Sequence, residues 1–295
     1  MFSLIGGNKK IIDSLERAIE KKSLAQSYLF CGPEAVGKFL TAKKFAEKLT
    51  GQKNEAVNSN LLIIEPEVEE KDGVFKEKSI KLEAIKHLQK EFSLTAFSKS
   101  YRVAIIRSAQ ALNLSAQNAL LKILEEPPEN TIIILVAEDV QELLPTIVSR
   151  CQIKQFSLLL ETELGEMFDA SLPNREEIIF WSLGRPGLLQ ILLQSEIKLE
   201  EKRAIAKEFQ LLFSMIGNDR LFLAESLSKN TPVLLEKFNF WIILLRSGLL
   251  NQKSFVNILP EKALELIEKI EESKKIIENT NSNVRLVVEN LLLAF

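Results

Sequence analysis

Two cysteines, Cys31 and Cys151, and a single histidine, His87, are all that these 295 residues offer a soft metal. That scarcity excludes a disulfide framework and a four-cysteine zinc site, and one histidine cannot complete a metal set. No run of about 18 apolar residues occurs, so no membrane-spanning helix is expected. The first ten residues, MFSLIGGNKK, lack the basic-then-apolar order of a signal peptide, and a cytoplasmic location is the expectation. An excess of either charge is missing too. The net charge is −2, with Lys and Arg dispersed among Asp and Glu, so a chain that holds nucleic acid mainly by itself is disfavoured. Hydrophobic residues at 46% and charged residues at 26% leave ample material for globular cores. The length allows two or three domains.

The first half alternates short apolar runs with amphipathic stretches, the pattern of a parallel α/β sheet. Strands are predicted over Ser27–Cys31, Leu61–Ile64, Arg102–Ile106 and residues 131–136. The last two are nearly continuous Val/Ile/Leu runs, as in strands covered on both faces. Between them Ala116, Ala119, Leu120, Ile123 and Leu124 recur at helical spacing, with Asn113 or Ser115 as the N-cap and Pro127-Pro128 as the stop. Residues 54–60 read as a polar loop and residues 65–78 as a charged, exposed excursion. After about residue 155 the strand signal fades, and short helices are expected around Leu172-Pro173 and the turn Gly184-Arg185-Pro186-Gly187. From about residue 200 the chain reads as wholly helical. Thr231-Pro232 marks a helix start, followed by the stripe Leu235, Phe238, Ile242, Leu245 and Leu249. The last segment aligns Val284, Val287, Val288, Leu291, Leu292 and Phe295 on one face, to be buried in its own helical domain or against another subunit.

Gly32-Pro33-Glu34-Ala35-Val36-Gly37-Lys38 lies between a predicted strand and a predicted helix. In that setting the spacing makes a loop whose backbone N–H groups can encircle phosphate, with Lys38 reaching the outer phosphates and the helix N-terminus adding positive charge. The next position needs a hydroxyl to hold magnesium. It is Phe39, and Thr41 points elsewhere on the helix. The strand through Ile106 should end in acids that orient magnesium and water. It ends in Arg107-Ser108, which puts a cation at the metal position, or simply a cation at a solvated strand end. Either way no metal site remains and hydrolysis by this chain is not expected; residual ATP or ADP binding through Gly32, Gly37 and Lys38 stays open. Cys31 reads as a small buried hydrophobe.

The run from Ser115 through Asn118, Lys122, Glu125 and Glu126 to Pro127-Pro128 resembles the clamp-loader branch of the AAA+ ATPases, as does Leu143-Leu144-Pro145-Thr146-Ile147-Val148 with its Ser149-Arg150-Cys151 ending. Asn60 to Pro66 and Asn281-Ser282-Asn283-Val284-Arg285-Leu286 extend the likeness over nearly the whole chain. The defects at Phe39 and Arg107 are most similar to the delta-prime members, which do not hydrolyse ATP. The resemblance implies a P-loop AAA+ domain with a parallel sheet over residues 1–155, a small helical lid over 156–200 and an all-α collar over 201–295. It implies a subunit of a DNA polymerase III holoenzyme, with no ATPase activity of its own; an active tau/gamma-like clamp-loader ATPase and an AAA+ scaffold outside replication are the alternatives. Partners would be the tau/gamma and delta subunits, and through the assembly the beta sliding clamp and primed DNA. Arg150 would be an arginine finger acting in trans on a neighbour's ATP, with Ser149 and Cys151 shaping the helix end. An internal ion pair of Arg150 with Glu125 or Glu126 is the alternative. Ala137-Glu138-Asp139 stands where a polar sensor is usual, and Gly187 aligns with the second sensor arginine. Many members carry a four-cysteine zinc module after the first helix; residues 51–60 contain no cysteine, so no zinc is expected.

Overall fold

The computed structural model describes residues 7–51, 60–71, 74–93, 101–168, 173–249, 258–280 and 282–295. Residues 54–59 of the loop expected at 54–60, Leu172 and Asn281 lie outside them. Two compact units result, Met1–Ile191 and Leu192–Phe295.

In the first unit, α1 (Lys9–Glu20) precedes β1 (Ser27–Cys31), α2 (Lys38–Thr50) and β2 (Leu61–Ile64). A hairpin of β3 (Val68–Lys71) and β4 (Val74–Glu77) occupies the charged excursion. Then come α3 (Leu82–Ser93), β5 (Arg102–Ile106), α4 (Leu114–Glu125), β6 (Thr131–Ala137), α5 (Pro145–Val148) and β7 (Gln152–Gln155), followed by α6 (Glu161–Met167), α7 (Arg175–Ser182) and α8 (Pro186–Gln194), which ends just past the unit boundary. The five-stranded sheet runs β2-β5-β6-β1-β7, all parallel. Its central strands are buried on both faces because alternate side chains leave a strand in opposite directions. Leu29, Ala104, Ile106, Ile133 and Leu135 meet α3 and α4 through Ile85, Leu88 and Leu120. Tyr28, Phe30, Val103, Ile105 and Ile134 meet α1 and α2 through Leu15, Ala42 and Phe45.

Three of the expected strands have the expected limits, and the fourth extends one residue to Ala137. β7 was not legible in the sequence. Among the described residues it is an edge strand paired only with β1, and Gln152, Ile153 and Gln155 are exposed, so it needs no apolar pattern. Asn113 is the N-cap of α4: its Oδ1 accepts from the N–H of Ala116 at 2.8 Å.

The second unit holds α9 (Glu196–Leu212), α10 (Asn218–Ser228), α11 (Thr231–Leu249), α12 (Pro260–Asn279) and α13 (Val284–Leu292). In α11 burial exceeds one stripe. Leu234, Phe238, Phe240, Trp241, Ile242, Leu244 and Leu245 are buried, whereas Leu235 and Leu249 are only half-buried. That explains its near-continuous apolar composition. α13 buries Val288, Leu291 and Leu292 against α10 and α12 of its own unit. The Phe295 ring sits 5.3 Å from Phe213 and 5.9 Å from both Phe209 and Trp241.

Candidate functional site

In a parallel sheet the loops after the strands gather at their C-terminal ends, and a ligand crevice forms where neighbouring strands connect in opposite directions. Here that point lies between β1 and β6, with the loop from Gly32 to Gly37 directly above it. Gly32 has φ +138°, and a Cβ there would lie 2.2 Å from the carbonyl oxygen of Phe156, so only glycine fits. Its N–H donates to the Glu138 carbonyl at 3.1 Å, tying the loop to the exit of β6. Gly37 is the N-cap residue of α2, and Lys38 opens the helix.

Lys38 is only 7% exposed. Its ammonium donates to the loop's own carbonyls, Gly32 O and, at 2.6 Å, Pro33 O. Burial pulls its pKa below the ordinary lysine value, opposed by the carboxylates of Glu138 and Glu34. Loss of hydration raises the Glu138 carboxyl, with Glu34 adding to the shift. The cleft beside the loop encloses about 960 Å³ and is lined by Gly37, Lys38, Phe39, Arg107, Glu138 and Gly187 among others. Among the described residues, seven carboxylate residues line it against three cations, Lys9, Lys38 and Arg107. A polyphosphate would enter a predominantly anionic space.

Phe39 and Arg107, read separately in the sequence, touch. The guanidinium carbon of Arg107 stands 5.1 Å from the centre of the Phe39 ring, within cation–π range. Arg107 also pairs with Glu65 across 3.2 Å. The ring packs on the core beneath α2 and carries Lys43 at 5.4 Å as well. Thr41 is fully buried and donates its hydroxyl to Gly37 O at 2.8 Å, so it faces away from the cleft. No group of three or more potential metal ligands forms among the described residues.

Three further positions show what surrounds the loop. Ala137 lies inside β6, and the Asp139 carboxylate accepts from the Gln141 N–H at 3.0 Å as a helix cap. Gly187, at the start of α8, donates its N–H to Ala35 O at 2.9 Å, and a Cβ there would come within 2.9 Å of the same oxygen. The first turn of α8 therefore rests on the loop from Gly32 to Gly37. This close approach and the Phe39–Arg107 contact left no signal in the sequence, because each joins residues far apart in the chain. Cys31 is buried, and its thiol donates to Gln155 Oε1 at 2.9 Å.

Arg150 is not part of the cleft lining. It follows α5 and precedes β7, whose first residue pairs with Tyr28 near the start of β1. Arg150 thus belongs to the N-terminal end of the strands, and the phosphate loop to the other end. Along β1 alone that separation is roughly 13 Å, at about 3.3 Å per residue. Arg150 donates from Nη1 to Thr146 O at 2.9 Å and from Nη2 to Glu125 Oε1 at 2.7 Å. Ser149 donates its hydroxyl to Thr146 O at 3.1 Å, closing the helix end. Cys151 packs on the core, and burial pushes its thiol up to about 12.

The family described as DNA polymerase III, delta subunit, matches residues 7–159. DNA polymerase III subunit delta' of Bacillus subtilis is 36% identical over 165 residues, which cover 51% of this chain and 47% of that relative. The delta' subunit of Pseudomonas aeruginosa is 27% identical over 307 residues, covering 91% of each chain. A DNA polymerase III gamma subunit-related protein from Thermotoga maritima superimposes with a TM-score of 0.51 at 18% identity, over 95% of this chain and 97% of that one, and shares the AAA+ fold. No helix among the described residues is long and apolar enough to cross a membrane. With the family match over the sheet and its loops, the chain belongs to the DNA polymerase III delta-subunit family as a delta-prime clamp-loader subunit.

Proposed function

We propose that this chain is the non-hydrolysing member of a clamp loader, and that its chemical contribution is made on a neighbouring subunit's nucleotide. The observation that carries the reading is the stacking of Arg107 on Phe39 at 5.1 Å. An aromatic ring and a guanidinium stand where magnesium would need a hydroxyl and a carboxylate. ATP or ADP binds weakly, because Lys38 is engaged by the loop's carbonyls and carboxylates outnumber cations among the described residues lining the cleft.

Arg150 acts in trans in this reading. Support comes from its place at the strand ends opposite its own phosphate loop, where it cannot serve that loop. A permanently charged planar fork is suited to neutralising charge that develops on a transferring phosphoryl group. Residues 201–295 join a collar with tau/gamma and delta subunits, and residues 156–200 serve as the lid. The ATP-loaded assembly opens the beta sliding clamp and sets it on primed DNA. Purified chain with ATP and magnesium is expected to show no turnover above background, while co-purifying with tau/gamma and delta. Turnover that rises with the amount of chain would overturn the reading.

A further inference from the structure

Arg150 is held by two partners of different kind. Thr146 O, 2.9 Å from Nη1, is an uncharged carbonyl on the helix just before it. Glu125 Oε1, 2.7 Å from Nη2, carries a full negative charge. The carbonyl orients the guanidinium and leaves its charge intact. The carboxylate neutralises the charge that a finger must bring to a phosphate.

Glu125 is also the last residue of α4, with Glu126 as the C-cap, so two carboxylates sit at the negative end of a helix dipole. A cation is favoured there, and Arg150 supplies one. The pair is solvent-accessible, with side-chain exposures of 35% and 50%, so it can exchange partners rather than being locked. An arginine has five N–H donors, and two are used here.

We infer that Glu125 is a latch on Arg150: it restrains the finger until a neighbour's nucleotide phosphate displaces its carboxylate, while Thr146 O keeps its hold. This deepens the arginine-finger reading above and rests on it. Glu125 is a positioning residue and touches no reacting atom. Exposed pairs of this type shift an equilibrium by up to about fivefold. Removing the charge therefore lowers the ATP concentration needed for half-maximal turnover and leaves the maximal rate in place.

The test is steady-state ATPase of the reconstituted loader, with primed DNA and clamp, carrying wild type, Glu125→Gln, Glu125→Asp, Glu126→Gln or Arg150→Ala. Glu125→Gln is expected to lower KM for ATP by about two- to fivefold with kcat retained. Glu125→Asp restores the wild-type KM, and Glu126→Gln, whose carboxylate is outside the pair, leaves it unchanged. Matching unfolding temperatures of the purified chains exclude a folding effect. If Arg150→Ala is slow but Glu125→Gln matches wild type, or loses kcat at constant KM, the latch is overturned and the finger stands. If Arg150→Ala itself turns over normally, the finger reading fails, and the latch with it.

Discussion

Substituting Gly187 by alanine tests the seating of α8 on the phosphate loop. In an unobstructed helix the change would stabilise, by up to about 1 kcal/mol. At this position the new Cβ would meet Ala35 O at 2.9 Å and Ala35 Cβ at 3.3 Å. The nearer atom is backbone, so the conflict is relieved only by moving the helix or the loop. Overpacking of this kind costs about 1–3 kcal/mol. Movement also weakens the Gly187 N–H to Ala35 O hydrogen bond, worth about 0.5–1.5 kcal/mol. Helix propensity offsets part of this, and the balance is a loss of about 1–2 kcal/mol. For a unit of this size the unfolding temperature then falls by about 2–8 °C. Differential scanning calorimetry reads the change, with exposed Gln190→Ala on the same helix as a control expected within about 0.5 kcal/mol of wild type. A Gly187→Ala protein more stable than wild type would refute the reasoning, since it would show that α8 does not rest on Ala35.

Three further outcomes follow from burial. Both thiols are raised by burial, and Cys151 is pushed from 9.0 to about 12. At pH 8 the native Cys151 is therefore expected to react with iodoacetamide about a thousandfold more slowly than after unfolding; labelling at the rate of a free thiol would contradict this. Because this thiol keeps its proton in the folded state while the unfolded thiol ionises near 9, its contribution to stability is lost as pH rises from about 9 to 12, which alkaline unfolding curves would register. Phe295→Ala removes a ring that meets Phe209, Phe213 and Trp241 and is expected to destabilise the second unit by about 1–3 kcal/mol, read as faster hydrogen exchange in α9 and α11; unchanged protection would refute it.

What could be read from the residues depended on how local the physics was. Strands β1, β5 and β6 were legible because burial on both faces demands nearly continuous apolar runs. The strand, loop and helix from Ser27 through Lys38 were legible because Gly32 and Gly37 are set by local backbone geometry. Arg150 could be singled out by motif, yet its choice of Glu125 over Glu126 needed the structure, since α4 had to be placed beside α5. β7 escaped notice because an exposed edge strand such as Gln152–Gln155 is held by backbone pairing and asks little of its side chains. Nothing in the order of residues announced that Arg107 would lie across Phe39. That contact depends on β5 and α2 meeting in the folded unit, which brings two positions read separately in the sequence side by side.

The most direct test of the central claim compares two variants of this chain, Lys38→Met and Arg150→Ala, in DNA- and clamp-stimulated ATP turnover by the assembled loader. Lys38→Met is expected to leave turnover unchanged. Arg150→Ala is expected to slow the neighbouring site it serves by about 10³ or more, with a corresponding fall in total turnover. Loss of turnover with Lys38→Met, together with undiminished turnover with Arg150→Ala, would place the chemistry in this chain's own phosphate loop and contradict the account.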